Sequence, residues 1–246
     1  MRLPIVFPLL LAVFASNAHA APPTQVFVLG SLYSRHKTVE SYDLDALRRV
    51  VQAIDPDVVV VDCTPTEIRE QKVHISKIEY PQVIFPLVQQ HGYRVYAGEP
   101  DEPLFTQIVQ PLAQERSAFA KAKPEQARAL DDYEEATWSA LELHWRSPAD
   151  AHDETTALAL AGRKALDTRV YGELQAQGNK RWIEHWVRIV RQSVAENPGK
   201  KILAVPGIDN RAEIERELRG DSNLTLVDMA QSIWRSEERR VGKECR

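Results

Sequence analysis

Short apolar runs alternate with amphipathic stretches along most of the chain. Val26–Leu29 and Val58–Val61 are apolar at every position, which is typical of strands that are buried on both faces. Between these two runs, one helical face of apolar residues is formed by Leu44, Leu47, Val50, Val51 and Ile54. This spacing of three and four residues predicts an amphipathic helix that follows an N-cap at Asp43. Two strands joined by a helix are expected to lie parallel, with a right-handed crossover.

Three further apolar runs predict additional strands, namely Tyr93–Ala97, Ile202–Val205 and Leu224–Val227. Helices are predicted over Gln82–Gln90 and Ala212–Leu218, and a loop over Thr64–Glu67. Residues 102–178 carry three helical apolar stripes and predict a long helical insertion, which serves as core, as a lid or as a partner surface. The sequence therefore predicts one α/β domain over residues 21–234, with a mostly parallel sheet flanked by helices and strand-helix-strand units at both ends.

The two ends of the chain differ in pattern from the rest. Met1–Ala20 combines a basic residue, an apolar core too short to cross a bilayer and a small-x-small site, which predicts a signal peptide cut after Ala20. A periplasmic or secreted protein is therefore expected. Arg235–Arg246 is similar to the translation of a sequencing-library adapter, and the alternatives are a non-native tail or a genuine charged tail. No other long apolar run predicts a membrane span.

Charge and cysteine content argue against several classes of function. The chain has 31 Lys and Arg against 35 Asp and Glu, a formal net charge of −4, and no basic cluster that would indicate nucleic-acid binding. Cys63 is the only cysteine outside the suspect tail, and we expect it to be a buried core residue rather than a nucleophile. The sequence has no zinc-finger spacing, no Gly-x-Ser-x-Gly elbow, no P-loop and no dinucleotide-binding glycine pattern.

The ends of the predicted strands locate a candidate site. Ligands of open parallel sheets bind beyond the carboxyl ends of the strands, so Gly30–Lys37 and Asp62–Glu67 should face one crevice. Gly207–Arg211 follows the fourth strand and holds the corresponding place in the second strand-helix-strand unit. Acidic residues recur at these ends, and a carboxylate cluster of Asp62, Glu99 and Asp209 could hold a divalent metal ion through oxygen.

The order of these segments resembles a known superfamily. The segments are VFVLG, PDVVVVDCTP, YPQVIFPLVQQHGYRVYAGEP and NPGKKILAVPGIDNR. Together they resemble the TraB/GumN and ChaN-like superfamily, which includes the Tiki proteases and erythromycin esterase-like proteins. The resemblance covers most of the chain but is weak in the helical middle. It implies either a metal-dependent hydrolase of protease or esterase type, or a protein that binds a haem-like ligand.

Several residues match the pattern that the superfamily shows. Its members carry Gly-x-x-His after the first strand, a glutamate after the second, an acid after the third, and a second Gly-x-x-His followed by an arginine. Gly30 and Gly207 match the glycines, Glu99 matches the third-strand acid and Arg211 matches the arginine. Asp62 stands for the glutamate and is one methylene shorter.

Both histidines of the pattern are replaced, by Tyr33 and Asn210. Neither residue supplies a neutral nitrogen ligand or a base that titrates near neutral pH. His36 is expected either to turn into the site or to stay exposed, where its basic neighbours could form a lip for an anionic ligand. Arg181 resembles an arginine found at the start of the preceding helix. The other histidines are expected to be non-functional, including His152 at a predicted helix start.

Two classes of function follow from these residues. The first is a binding module with a degenerate active site, which would hold a small molecule, a peptide, a haem-like group or a partner protein. The second is a metal-dependent hydrolase in which Asp62 and Glu99 act as ligand or general base and Arg211 stabilises developing negative charge. The replaced histidines favour the first.

Overall fold

A single parallel sheet organises the computed structural model, which describes residues 22–233. The predicted signal peptide and charged tail lie outside the described residues. The strands are β1 (Thr24–Val28), β2 (Val58–Val61), β3 (Arg94–Ala97), β4 (Lys201–Val205) and β5 (Leu224–Val227). Their order across the sheet is β3-β2-β4-β1-β5, and every neighbouring pair is parallel. The predicted α/β class is confirmed.

The longer helical segments connect or cover these strands. They are α1 (Leu44–Ile54), α2 (Pro65–Glu70), α3 (Phe85–His91), α4 (Leu104–Ala122), α5 (Pro124–His144), α6 (Glu154–Tyr171), α7 (Glu173–Glu196) and α8 (Ile208–Leu218). Short helical turns occupy Tyr33–Lys37, Glu40–Tyr42, Tyr80–Ile84 and Asp150–His152. Among the described residues, none of the helices combines the length and the apolar character that crossing a membrane requires.

Helices cover both faces of the sheet. Successive strand residues point to opposite faces, so Phe27, Val59 and Leu203 pack with the helices on one side, α1 and α3. Val26, Val58 and Ile202 pack on the other side with α7 and α8. Burial on both faces explains why Val26–Leu29 and Val58–Val61 are apolar at every position. Cys63 is fully buried in the first of these cores, as predicted.

The fourth strand lies between the first two. Ile202 of β4 pairs in register with Val26 of β1 on one side and with Val58 of β2 on the other. The first two strands are therefore parallel, as predicted, without being neighbours. This order brings the carboxyl ends of β1 and β4 side by side, and it places the Gly30 and Gly207 segments in direct contact.

Three predicted boundaries are wrong. Thr64–Glu67 is not a loop, because the Thr64 hydroxyl accepts from the Glu67 amide and the Glu67 carboxylate accepts from the Thr64 amide, which caps α2. The boundary predicted near residue 178, between the helical insertion and the next helix, falls inside α7, which runs unbroken from Glu173 to Glu196. The helix predicted over Ala212–Leu218 starts four residues earlier, so Asp209 and Asn210 lie in the first turn of α8.

Candidate functional site

The two motif glycines lie where the ends of β1 and β4 meet. The Ser31 amide donates to the Pro206 carbonyl at 2.8 Å, and the Ile208 amide donates to the Ser31 carbonyl at 2.9 Å. A Cβ atom on Gly30 would overlap the side chain of Ile208, and one on Gly207 would overlap the Tyr33 hydroxyl. Both positions favour glycine because the two segments pack in direct contact and a Cβ would displace a neighbouring side chain.

Tyr33 reaches from this junction to the end of β2. Its backbone is left-handed, with φ of 52°, and its hydroxyl donates to a carboxylate oxygen of Asp62. Burial, followed by the charge of Asp62, holds the pKa of Tyr33 well above its usual value. The phenol therefore stays protonated near neutral pH and serves as a hydrogen-bond donor to Asp62.

Lys77 covers the two predicted acids at the ends of β2 and β3. Its ammonium donates to the Glu99 carboxylate at 2.6 Å and to the Asp62 main-chain carbonyl at 2.6 Å. Burial lowers the pKa of Lys77, but the charges of Asp62 and Glu99 outweigh this effect and the net shift is upward. The Glu99 carboxyl is paired with this ammonium, whereas the Asp62 carboxyl accepts from Tyr33, and burial raises the pKa of both acids. Sequence reasoning missed Lys77 because it lies in a polar stretch without any period.

The predicted carboxylate cluster does not form as a group of three. Asp62 and Glu99 both contact Lys77, whereas Asp209 lies 3.6 Å from the guanidinium of Arg163. Within residues 22–233, no set of three His, Cys, Asp or Glu side chains is placed to hold a metal ion. A cation between Asp62 and Glu99 would have to displace the Lys77 ammonium, so these residues are a poor fit for a metal.

His36 is neither exposed nor turned into a crevice, in contrast to both sequence expectations. It is 2% exposed, and its Nδ1 donates to the Tyr42 carbonyl at 2.7 Å while its Nε2 accepts from the Leu32 amide at 3.1 Å. Burial lowers the pKa of His36 to about 4, although the hydrogen bond to Tyr42 opposes this shift. His36 therefore holds the turn after β1 and is neutral at physiological pH.

His152 has a structural role that the sequence did not predict. It precedes α6, as expected, but its Nε2 accepts from the Gly30 amide at 2.9 Å and its Nδ1 donates to the Pro148 carbonyl at 2.7 Å. Burial, followed by the charge of Arg211, lowers its pKa to about 3. His36 and His152 thus use both ring nitrogens inside the protein, and neither offers a free nitrogen to a haem iron or another metal.

Glu79 is a second acid that sequence reasoning missed. Its Oε1 accepts a hydrogen bond of 2.5 Å from the Ser31 hydroxyl, and its Oε2 has no partner among the described residues. Burial raises the pKa of Glu79 to about 7, although the Ser31 hydrogen bond opposes the shift. The next residue, Tyr80, accepts from the Asp62 amide and donates to the Val205 carbonyl, which ties β2 to β4.

A cavity of about 500 Å³ opens beside these groups, between the carboxyl edge of the sheet and the helices α4 to α7. Three predicted ligand-binding residues, Tyr33, Asp209 and Asn210, line this cavity. The helices contribute apolar, aromatic and charged side chains to the wall, including Ile108, Leu112, Arg116, Trp138, Arg163, Lys164 and Trp182. The helical middle therefore forms the roof of this cavity. Its apolar stripes were predicted as core, as a lid or as a partner surface, and its basic residues were not singled out.

The predicted catalytic residues do not share this cavity. Asp62 is 1% exposed and lies beneath Tyr33, while Glu99 is buried against Lys77. Arg211 is buried against Glu215 and faces a different cavity of about 540 Å³ beside the start of α6 and the end of β5. Arg181 lies inside α7, not at its start, and its exposed guanidinium donates to the Gln107 carbonyl at 3.4 Å.

A larger groove of about 850 Å³ lies between α6, α7 and α8. It contains none of the predicted site residues, and no buried unpaired polar atom in the described region lines it. The cavity at the sheet edge remains the better candidate because it combines the position expected for parallel sheets with predicted site residues.

Comparisons with protein-family models, with curated proteins and with solved structures found no match to this chain. The resemblance to the TraB/GumN and ChaN-like superfamily therefore stays a prediction from the sequence.

Proposed function

We propose that this protein is a binding module for a small organic ligand, which it holds in the cavity at the carboxyl edge of the sheet. The observation that carries the proposal is the cavity itself, since its volume of about 500 Å³ falls in the range of about 300–1,000 Å³ that small-molecule sites occupy. The predicted signal peptide would place this binding function in the periplasm or outside the cell.

The chemistry of the wall supports binding more than catalysis. A hydrolase needs a base, a nucleophile or a metal that faces its substrate. In the described part of the chain, the Tyr33 hydroxyl is engaged by Asp62, and His36 and His152 are neutral and point into the protein. The cavity instead offers two tryptophans and several hydrogen-bonding side chains that can orient a ligand.

A cavity-blocking variant tests the proposal. Ser34 is exposed at the mouth of the cavity, so Ser34→Trp should fill the entrance without disturbing the core. Ser222→Trp is the matched control, because Ser222 is also exposed but precedes β5 at the opposite edge of the sheet. A chemically diverse metabolite library would be screened for compounds that raise the melting temperature of the full chain.

The expected result is at least one compound that stabilises the protein by about 2.7 kcal/mol at a hundredfold excess over its Kd. That stabilisation should disappear in Ser34→Trp and persist in Ser222→Trp. A library in which no compound stabilises the protein, or a ligand that still binds Ser34→Trp with full affinity, would contradict the proposed site.

A further inference from the structure

The charges on the wall of the cavity are compensated within the protein. Each charged side chain of the wall has an opposite charge within 4 Å. The pairs are Arg35–Glu142 at 2.6 Å, Arg116–Asp167 at 3.1 Å, Lys164–Glu213 at 2.8 Å, and Arg163 with Glu134 at 3.4 Å, Asp167 at 3.5 Å and Asp209 at 3.6 Å. A ligand with a net charge would bring a charge for which the wall holds no free counter-ion, whereas an uncharged ligand would not.

Arg163 has hydrogen-bonding capacity that its ion pairs do not use. It is 7% exposed, and its three ion-pair distances of 3.4, 3.5 and 3.6 Å exceed the length of about 2.7–2.9 Å typical of charge-assisted hydrogen bonds. Its Nε has no hydrogen-bond partner among the described residues. The Nε is shielded from the cavity, so the donors open to a ligand are the Nη groups, whose ion pairs are long. An acceptor atom from a ligand would add a hydrogen bond to this guanidinium.

Two amides of the wall are also only partly engaged. The Asn210 side-chain oxygen accepts from Lys164 at 2.7 Å, and the Asn179 side-chain oxygen accepts from Gln175 at 3.0 Å. Neither amide nitrogen has a hydrogen-bond partner in the described part of the chain. Carboxylate acceptors such as Asp209 lie in the same wall. A group that both donates and accepts, as a hydroxyl does, matches this mixture of donors and acceptors.

An apolar strip completes the wall, formed by Ile108, Val109, Leu112 and Trp182. The Trp182 ring is held edge-on against Phe105, with ring centroids 6.1 Å apart. The C–H face of a saturated ring can pack against such a strip, while the hydroxyl groups on its rim reach the polar side chains. A linear polyol would present no comparable flat apolar face.

From these features together we infer that the ligand is an uncharged, polyhydroxylated ring compound, namely a monosaccharide or short saccharide without a net charge. This inference rests on the proposed binding function and specifies its ligand class. The compensated charges select against ionic ligands, the unused donors of Arg163 and Asn210 select for hydroxyl or ring oxygens, and the apolar strip selects for a ring.

Isothermal titration of the full chain with matched sugars tests the ligand class. The neutral set is glucose, N-acetylglucosamine, maltose and cellobiose, and the charged counterparts are glucuronate and glucosamine. At least one neutral sugar should bind about tenfold or more tightly than either charged counterpart. Its affinity should change less than about twofold between 0.05 and 0.5 M salt, because no net charge is transferred to the cavity.

Substitutions of residues that line the cavity test whether the sugar binds there. Arg163→Met and Asn210→Ala should each weaken binding of the neutral sugar about tenfold, the loss of roughly one hydrogen bond to a charged or amide group. Arg216→Met is the control, because Arg216 is 64% exposed and lies outside the cavity lining. Circular dichroism would show whether each variant folds. If Arg163→Met does not fold, Asn210→Ala alone tests whether the sugar binds in the cavity.

Two negative outcomes separate this inference from the proposed function. Binding of a charged compound that Ser34→Trp abolishes, together with no binding of any neutral sugar, would overturn the ligand class and leave the binding function intact. The absence of binding by every compound in both the library and the sugar panel would overturn both. Sugar binding that survives Ser34→Trp and Asn210→Ala would place the sugar elsewhere and also overturn the inference.

Discussion

Two parts of the same sheet edge differ in what covers them. At the closed edge, defined by Asp62, Glu99 and Lys77, the acids after β2 and β3 are buried beneath an ammonium group. At the open edge, defined by Asp209 and Asn210, the residues after β4 line a cavity. An acid at the end of a strand is therefore not accessible by position alone, because the segment that follows it decides whether it is covered.

The connecting segments explain the difference. The chain after β2 continues through α2 and a polar stretch that returns Lys77 over the ends of β2 and β3. The chain after β4 enters α8 within a few residues, so its polar side chains remain in the first turn of that helix. Tyr33 joins the two edges, because it lines the cavity while its hydroxyl bonds to Asp62.

The largest effect on the free energy of unfolding is expected when Lys77 is replaced at the closed edge. Lys77→Met leaves the buried Glu99 carboxyl and the Asp62 carbonyl without their donor, and Lys77 is only 8% exposed. Burial raises the pKa of Glu99 to about 8, so this carboxyl is ionised only above that pH. Removing one partner of a buried ion pair costs roughly 3–5 kcal/mol, so urea unfolding at about pH 9 should show a loss of up to about that size.

The double variant Lys77→Met/Glu99→Gln is the control for this prediction. It removes the uncompensated carboxylate as well as the ammonium, and it should recover a large part of the lost stability. A loss below about 1 kcal/mol in the single variant would mean that the closed edge is not held by this ion pair.

Glu79 should make stability depend on pH near neutrality. Its pKa is about 7 in the folded protein because of burial, above the value of about 4.3 expected in the unfolded chain. The folded state therefore binds more protons between these values. Its stabilisation is fully present below about pH 4.3 and is lost as the pH rises through about 7. The full loss would be up to about 4 kcal/mol.

Glu79→Gln removes this titration and tests its sign. Urea unfolding at pH 5 and pH 8 should show that the wild type loses more stability across this range than the variant, by about 2 kcal/mol. The stability of Glu79→Gln relative to the wild type should therefore increase as the pH rises. An equal change in both proteins would assign the pH dependence to other groups.

A smaller effect on stability is expected at Gly207, which contacts Tyr33 where the two edges meet. Gly207→Ala places a Cβ against the Tyr33 hydroxyl and ring, although the backbone at Gly207, with φ of −55°, suits alanine. Overpacking of this kind costs about 1–3 kcal/mol, and the displaced Tyr33 should lose its hydrogen bond to Asp62. Thermal unfolding would measure the cost of the clash.

Gly162→Ala is the matched control for this substitution. Gly162 lies inside α6, and a Cβ there would meet nothing within 4 Å. The same chemical change should therefore stabilise the protein by about 0.5–1 kcal/mol, because alanine favours a helix interior. Equal effects at both glycines would contradict the close packing of Gly207 against Tyr33.

The sequence predicted the layers of the fold better than the site. Runs such as Val58–Val61 are apolar at every position because both faces of the sheet are covered, and this pattern is local. The location of the site beyond the strand ends was also predictable, since Tyr33, Asp209 and Asn210 do line the cavity. Both predictions depend only on the hydrophobic pattern of the strands and on the topology of parallel sheets.

The sequence did not predict which residues at the strand ends are buried, because their burial depends on contacts between residues that are distant in sequence. Lys77, which pairs with Glu99, lies in a stretch without any hydrophobic period. His152 accepts from the Gly30 amide although the two residues are more than a hundred positions apart in sequence. Glu79 did carry a weak signal, because it is an acid directly before Tyr80 and a predicted apolar helix. Burial at these positions is a tertiary property that single-sequence patterns do not contain.

The smallest effect on stability is expected at the open edge. Asn210→Ala removes one acceptor of Lys164, whose ammonium keeps its bond of 2.8 Å to Glu213. The free energy of unfolding should therefore change by less than about 0.5 kcal/mol, while ligand binding weakens. The closed-edge variant Lys77→Met should behave in the opposite way, with reduced stability and unchanged affinity. Urea unfolding and titration of the same four proteins, including the wild type and Arg216→Met, would measure both quantities. Loss of stability and of binding together at Asn210 would show that the two edges form one cooperative unit, and the comparison between them would then fail.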